Sequence, residues 1–250
     1  MKNLFSVEGK TVLITGGSRG IGEMIATGFV ENGAKVYITA RKAQACNELA
    51  EELSKKGTCI SLPFDLGTMD GIKGITAELE KREPKLDVLI NNAGAAWGEP
   101  IDEYSESGWD KVQNINLKGV FFLTQALLPL LADGGRIVNI SSGLTRFALP
   151  GHAAYAAAKT AVETFTRYLA KELGPRGITA NVVAPGAIET DFSGGVVRDD
   201  PELNGRIAAS TALGRAGVPQ DIGPMIAALL GDANRWVNAQ RIEVSGGQSL

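Results

Sequence analysis

A chain of 250 residues is long enough to bury a full core, and 44% apolar with 21% charged residues place it among ordinary globular proteins rather than disordered ones. Twenty-five basic against 28 acidic side chains leave a net charge of −3, which offers no field for nucleic acid; the longest apolar runs, such as ALLPLLA at 126–132, fall short of the ~20 residues of a membrane span. The first residues carry no apolar signal region, and Cys46 and Cys59 lack C-x-x-C or metal-ligand spacing, so a cytoplasmic protein with reduced thiols and no metal site is expected.

In chain order, apolar β-branched runs fall at TVLIT (11–15), AKVYIT (34–39), TCISLPF (58–64), LDVLI (86–90), RIVNIS (136–141), ITANVVA (178–184) and QRIEVS (240–245). Runs without polar alternation read as strands buried on both faces. Between them lie amphipathic segments of helical length, such as ACNELAEELSKKG, and long helices are expected over 110–132 and 152–174. Strand and helix in alternation predict an α/β fold: a single domain over 1–250, doubly wound and parallel, of the Rossmann type with about seven strands. IETDFSGGVVRDDPELNGR (188–206) departs from the pattern after the sixth strand and is read as a substrate lid covering about 188–210.

TGGSRGIG (15–22) closes the first strand and opens a helix, where Gly16, Gly20 and Gly22 supply a tight turn, close approach to a pyrophosphate and tight helix packing. The helix N-terminus then offers N–H groups and partial positive charge to the phosphates. An NAD site places a carboxylate about 20 residues later, but here Ala40 and Arg41 follow the second strand. Arg41, with Arg19 from the glycine turn, suits a 2′-phosphate, so NADP(H) is the expected cofactor.

AAYAAAKTAVETF (153–165) sets Tyr155 and Lys159 four residues apart, on one face of a helix. An ammonium within ~4–6 Å of a phenol favours the phenolate and can lower an acidic pKa by about 1–3 units, to which a cationic nicotinamide would add. Tyr155 is then the expected acid/base, with Lys159 lowering its pKa.

The spacing T-G-x-x-x-G-x-G, followed by NNAG (91–94), NISSG (139–143), Y-x-x-x-K and PGAIET (185–190), resembles the short-chain dehydrogenase/reductase family, from about residue 8 to 247. The resemblance implies an oxidoreductase with Ser142 holding the substrate oxygen, Ser141 being the neighbouring alternative, and with Asn116 in a proton relay for which Asn114 competes. It implies cofactor contacts from Ser18 and Ile21 in the glycine turn, Asp65 and Leu66 after the third strand, Asn92, Ala93 and Gly94 after the fourth, and Pro185, Gly186, Ile188 and Thr190 after the sixth. Lys159 would also bind the ribose. Asp65 has the alternative reading of a helix N-cap, and Asn91 reads as structural and cofactor-adjacent. His152, the one histidine, is read as a helix-start residue, and G-x-S-x-G is absent, which sets serine hydrolysis aside.

The front half is similar to 3-oxoacyl reductases, including the rhamnolipid-type branch, which implies a ketone or alcohol substrate, an acyl carrier protein as partner and a homotetramer. Trp97, Leu144, Phe147, Leu149 and Phe192 are expected to line an apolar mouth, with Arg146 as its one basic group or a solvated loop residue. Asp133 stands where a surface for an acidic carrier wants a base, with Arg176 the nearest compensation. Ala239 occupies a position where many relatives have glycine.

Overall fold

In the computed structural model, which describes residues 4–250, the seven apolar runs become seven strands: Thr11–Thr15 (β1), Lys35–Thr39 (β2), Thr58–Leu62 (β3), Leu86–Asn91 (β4), Leu131–Ile140 (β5), Thr179–Pro185 (β6) and Arg241–Val244 (β7). They pair in parallel throughout, in the order β3-β2-β1-β4-β5-β6-β7. The helices are Gly20–Glu31 (α1), Ala43–Leu53 (α2), Met69–Arg82 (α3), Glu106–Gln113 (α4), Gly119–Leu127 (α5), Ala153–Leu173 (α6), Val196–Asp199 (α7), Pro201–Ala209 (α8) and Gly223–Leu230 (α9).

The period-2 geometry of a strand divides the apolar residues between two layers. Val12 and Ile14 pack on the layer of Ile25, Phe29 and Ile226, from α1 and α9. Leu13 faces the other way, onto the layer of Ile75, Leu123 and Leu169 from α3, α5 and α6. Strand order reverses between β1 and β4, which opens a crevice at their carboxyl ends.

The helix expected over 110–132 is two helices joined by a π turn, Asn114–Lys118, and it stops at Leu127. Pro129 lies just beyond that end, where it cannot donate to continue the helix, and β5 then begins at Leu131, five residues before the run that marked it in the sequence. The segment 188–210 is built of short pieces, a 3-10 turn at Phe192–Gly195 followed by α7 and α8. Asp200 caps α8 by accepting from Glu202 and Leu203 N–H groups, with Pro201 at its first position.

Ala239 sits at φ 61, in the left-handed region, on the approach to β7. That conformation costs an L-residue about 1–2 kcal/mol and costs glycine none, so Ala239→Gly is expected to stabilise the fold by roughly 0.5–1 kcal/mol after its extra unfolded-state entropy. Urea unfolding should show a higher midpoint at unchanged slope; a lower midpoint contradicts this account of the turn.

Candidate active site

The crevice is a cavity of about 710 Å³ that runs from the glycine turn past the carboxyl ends of β1, β4, β5 and β6 to α8. Gly16 and Gly20 take φ values of 64 and 57, and close packing requires the absence of side chains. A Cβ at Gly16 would stand 2.8 Å from Ala93 Cα, and one at Gly22 would stand 2.2 Å from the Gly16 carbonyl oxygen. One at Gly20 would meet Thr190 Cβ at 3.2 Å, so Gly20 and Thr190 share a wall. Arg19 is the N-cap of α1 and makes no side-chain cap, leaving first-turn N–H groups facing the cavity for an anion.

Arg19 and Arg41 both line this end and are exposed, and neither forms an ion pair among the described residues. Ser18 and Ile21 line it as well. This donor set, two free guanidiniums beside an uncapped helix and no carboxylate at position 40, fits a dinucleotide carrying an extra phosphate.

After β3, Phe64 and Leu66 line the cavity, whereas Asp65 does not. Its carboxylate accepts from Gly67 N–H at 2.9 Å, closing its own turn. The cap of α3 is Thr68, whose hydroxyl accepts from Gly71 N–H, so the N-cap reading of Asp65 is corrected. After β4, Asn92, Ala93 and Gly94 line the cavity. Asn92 Nδ2 donates to the carbonyls of Thr15 and Gly16, tying this strand end to the glycine turn. Asn91 is structural, being buried and donating to Thr124 and Asn139, and it directly precedes Asn92 of the cavity wall.

At the chemical end, α6 brings Tyr155 and Lys159 into the cavity wall, 7% and 2% exposed. Lys159 Nζ donates to the Ile140 carbonyl at 2.8 Å and lies 5.7 Å from the Tyr155 ring centroid. Burial sets both acidities: it lowers the ammonium to about 8 and pushes the phenol up to about 12, against a smaller downward pull from the Ser142 hydroxyl. The ammonium is directed at a backbone carbonyl, and in the protein without cofactor burial is the largest influence on the phenol.

Ser142 follows β5 and lines the cavity, its Oγ accepting from Leu144 N–H at 3.2 Å. Ser141 turns its hydroxyl away, donating to Glu163 Oε1 at 2.6 Å, as the one-residue alternation of a strand requires. Asn116, fully buried in the π turn, donates to the carbonyls of Ala95 and Val112 and accepts from Ala95 N–H. A Cβ at Gly94 would lie 2.9 Å from Asn116 Oδ1 and 3.5 Å from Lys159 Nζ, so the asparagine stands beside the lysine while clamping the strip after β4. Asn114 serves the turn through its backbone carbonyl, which accepts from Gly119.

Pro185, Gly186, Ile188 and Thr190 all line the cavity. Ile188 is bridged to Gly217, and Thr190 Oγ1 accepts from Phe192 N–H. Sequence reasoning missed Gln248, whose Oε1 accepts from Ala187 N–H at 2.8 Å from 61 positions away. Its only local signal is the Gly246-Gly247 pair, both at positive φ, which turns the chain end back onto the site.

Leu144, Phe147, Leu149 and Phe192 line the mouth, the Phe192 ring lying 5.9 Å from that of Tyr155. Trp97 does not; it packs on Gly108 of α4, with the Lys111 ammonium 4.3 Å from its ring, and Ala96 takes the wall position. Arg146 does not line the mouth; it is an exposed loop residue, as the alternative reading has it, and it binds Glu243 and the carbonyls of Gln248 and Ser249. The basic group of the mouth is Arg206, from α8. His152 lies at the N-cap of α6, with Nδ1 3.1 Å from the Pro150 carbonyl, as a helix-start residue, and it also borders the cavity. Arg176 is bound to Asp133 at 2.8 Å and to the carbonyls of Leu128 and Leu131, beside the amino end of β5.

Comparison with known proteins agrees with this geometry. The family model described as enoyl-(acyl carrier protein) reductase matches residues 16–249. The rhamnolipids biosynthesis 3-oxoacyl-[acyl-carrier-protein] reductase of Pseudomonas aeruginosa is 38% identical, over the whole of both chains. The solved RhlG/NADP active-site complex from Pseudomonas aeruginosa superposes with a TM-score of 0.93 at 38% identity over all of both chains. The reductase LugOII, described as promiscuous and as catalysing keto-reduction at C1 in lugdunomycin biosynthesis, gives 0.90 at 35% identity, covering 98% of this chain and 99% of its own. With the glycine turn, the Tyr155–Lys159 pair and a full-length match in sequence and fold, the chain belongs to the short-chain dehydrogenase/reductase family of oxidoreductases.

Proposed function

We propose that this protein is an NADPH-dependent ketoreductase that converts a medium-sized apolar ketone, of the 3-oxoacyl type or similar, into a secondary alcohol. The observation that carries the reading is the buried Tyr155, facing Ser142 and backed by Lys159, at the junction of an apolar mouth and a phosphate-binding turn. Arg19, Arg41, the glycine turn and the uncapped α1 would hold the phosphates, with Lys159 binding the ribose and the Gly186–Thr190 strip orienting the nicotinamide end. The bound reduced nicotinamide supplies the hydride.

Each protein group then has one task. Ser142 donates its hydroxyl to the substrate oxygen and stabilises the charge that develops there. Tyr155 delivers the proton to the same oxygen, and a phenol raised by burial to about 12 carries that proton throughout the neutral range. Oxidation of an alcohol needs the phenolate instead, which requires further positive charge beside the ring.

On the same reading the chain works in the cytoplasm and assembles as a homotetramer, supported by its free thiols and by the half-exposed Trp109, Phe121 and Tyr168 on α4, α5 and α6. A carrier-linked substrate is suggested by the name of the Pseudomonas relative. Arg176 gives such a partner no free base, since Asp133 already holds it.

With a panel of ketones, Tyr155→Phe is expected to lose roughly 10²–10⁴-fold in NADPH consumption while still binding NADPH. Equal rates in variant and wild type would reject Tyr155 as the acid; a wild type that consumes no NADPH with any ketone would favour a nucleotide-binding protein without turnover. Arg41→Asp is expected to weaken NADPH roughly 10- to 100-fold and NADH far less, from the loss of a charge-assisted bond worth about 1.5–3 kcal/mol. Fluorescence titration of both cofactors measures this, and a like change in both affinities would remove the 2′-phosphate assignment.

A further inference from the structure

Tyr155 and Lys159 are not alone on their helix face. Glu163 follows one turn later, completing an i, i+4, i+8 row on α6. Its Oε1 accepts from Ser141 Oγ at 2.6 Å, Thr145 Oγ1 at 2.8 Å and Arg241 Nε at 2.9 Å. Two of these partners bracket Ser142 in the chain, and the third reaches Ser142 itself: Arg241 donates to Thr145 Oγ1 at 3.0 Å and to the Ser142 carbonyl at 3.4 Å.

The connections continue to the other side of the site. Arg241 also donates to Glu243 at 3.1 Å, and Glu243 takes two bonds of 2.9 Å from Arg146 and one of 2.8 Å from Ser245. The Arg146 guanidinium holds the carbonyls of Gln248 and Ser249, and Gln248 in turn accepts from Ala187 N–H. A chain of bonds thus runs from the helix of the acid, through the serine loop, to the strip after β6. Two carboxylates and two guanidiniums balance in charge.

We propose that Glu163 and Arg241, continued by Glu243 and Arg146, form a positioning frame that sets Ser142 and the Gly186–Ala187 turn against Tyr155. The claim rests on the ketoreductase reading for its catalytic consequence. Two features separate such a frame from an ordinary stabilising cluster. The ion pairs are partly open to water, with side chains 11% to 35% exposed, where pairs add little stability. The Ser142 hydroxyl is left out of the array: it accepts from Leu144 N–H and faces the Tyr155 hydroxyl, whose acidity it raises, so the frame holds the serine loop and leaves the side chain to the site. Glu163 and Arg241 touch no reacting atom and act through the loop they hold.

The test compares wild type, Arg241→Met and Glu163→Leu, with Glu163→Gln as the conservative variant that keeps the acceptor oxygen; Glu243→Gln substitutes if Arg241→Met does not fold. The expected result is a kcat lowered about 10- to 100-fold in Arg241→Met and Glu163→Leu, the scale of an ångström-sized misplacement, with NADPH affinity within about twofold and Tm nearly unchanged. Glu163→Gln should recover most of the loss. Amide hydrogen exchange should quicken at 141–148 and 186–188 and nowhere else. Wild-type kcat with unchanged exchange, or a lowered Tm with unchanged kcat per folded molecule, would overturn the frame. Should wild type reduce no ketone, the ketoreductase reading fails, and the exchange measurement still decides whether these residues hold the loop.

Discussion

The bond from the Lys159 ammonium to the Ile140 carbonyl is the constraint on which the site is built. It ties the middle of α6 to the carboxyl end of β5 inside a cavity wall, and so fixes where Tyr155 can stand. The bond has an electrostatic cost: the ammonium is spent largely on a backbone dipole, and burial leaves the phenol harder to ionise than free tyrosine. In the protein's own field the tyrosine is a loaded acid. Making it a base takes charge from outside the polypeptide, and the oxidised nicotinamide ring is a cation of the right kind.

This view gives the two ends of the cavity different physics. At the phosphate end, glycines clear space and free backbone and guanidinium donors collect anionic charge, so strength comes from many exposed contacts. At the chemical end, few groups act and each is buried, so placement governs. Asn116 and Glu163 illustrate the second regime. Both are held by several protein partners, one beside the lysine and one behind the serine.

What the sequence made legible was whatever depends on local spacing. β-branched runs gave seven parallel strands, strand-glycine-helix succession gave the turn at Gly16–Gly22, and a four-residue interval put Tyr155 and Lys159 on one face. What it hid depends on distant packing. Trp97 turned to Gly108, Arg146 to Glu243, and Gln248 to Ala187, none of which leaves a local trace. The π turn that carries Asn116 and the early start of β5 at Leu131 likewise show no local spacing signal. The phenol's surroundings were hidden for the same reason: spacing shows which charges are near, whereas desolvation depends on everything that covers the ring.

The most direct test is to titrate Tyr155 itself by NMR of tyrosine labelled at Cζ, assigned with Tyr155→Phe, first in the protein alone and then saturated with NADP+. The account expects the phenol to ionise near 12 alone, well above free tyrosine, and to fall by roughly 1–3 units when the cationic ring is bound. A phenol that ionises like free tyrosine in the protein alone, or that does not respond to NADP+, would contradict it.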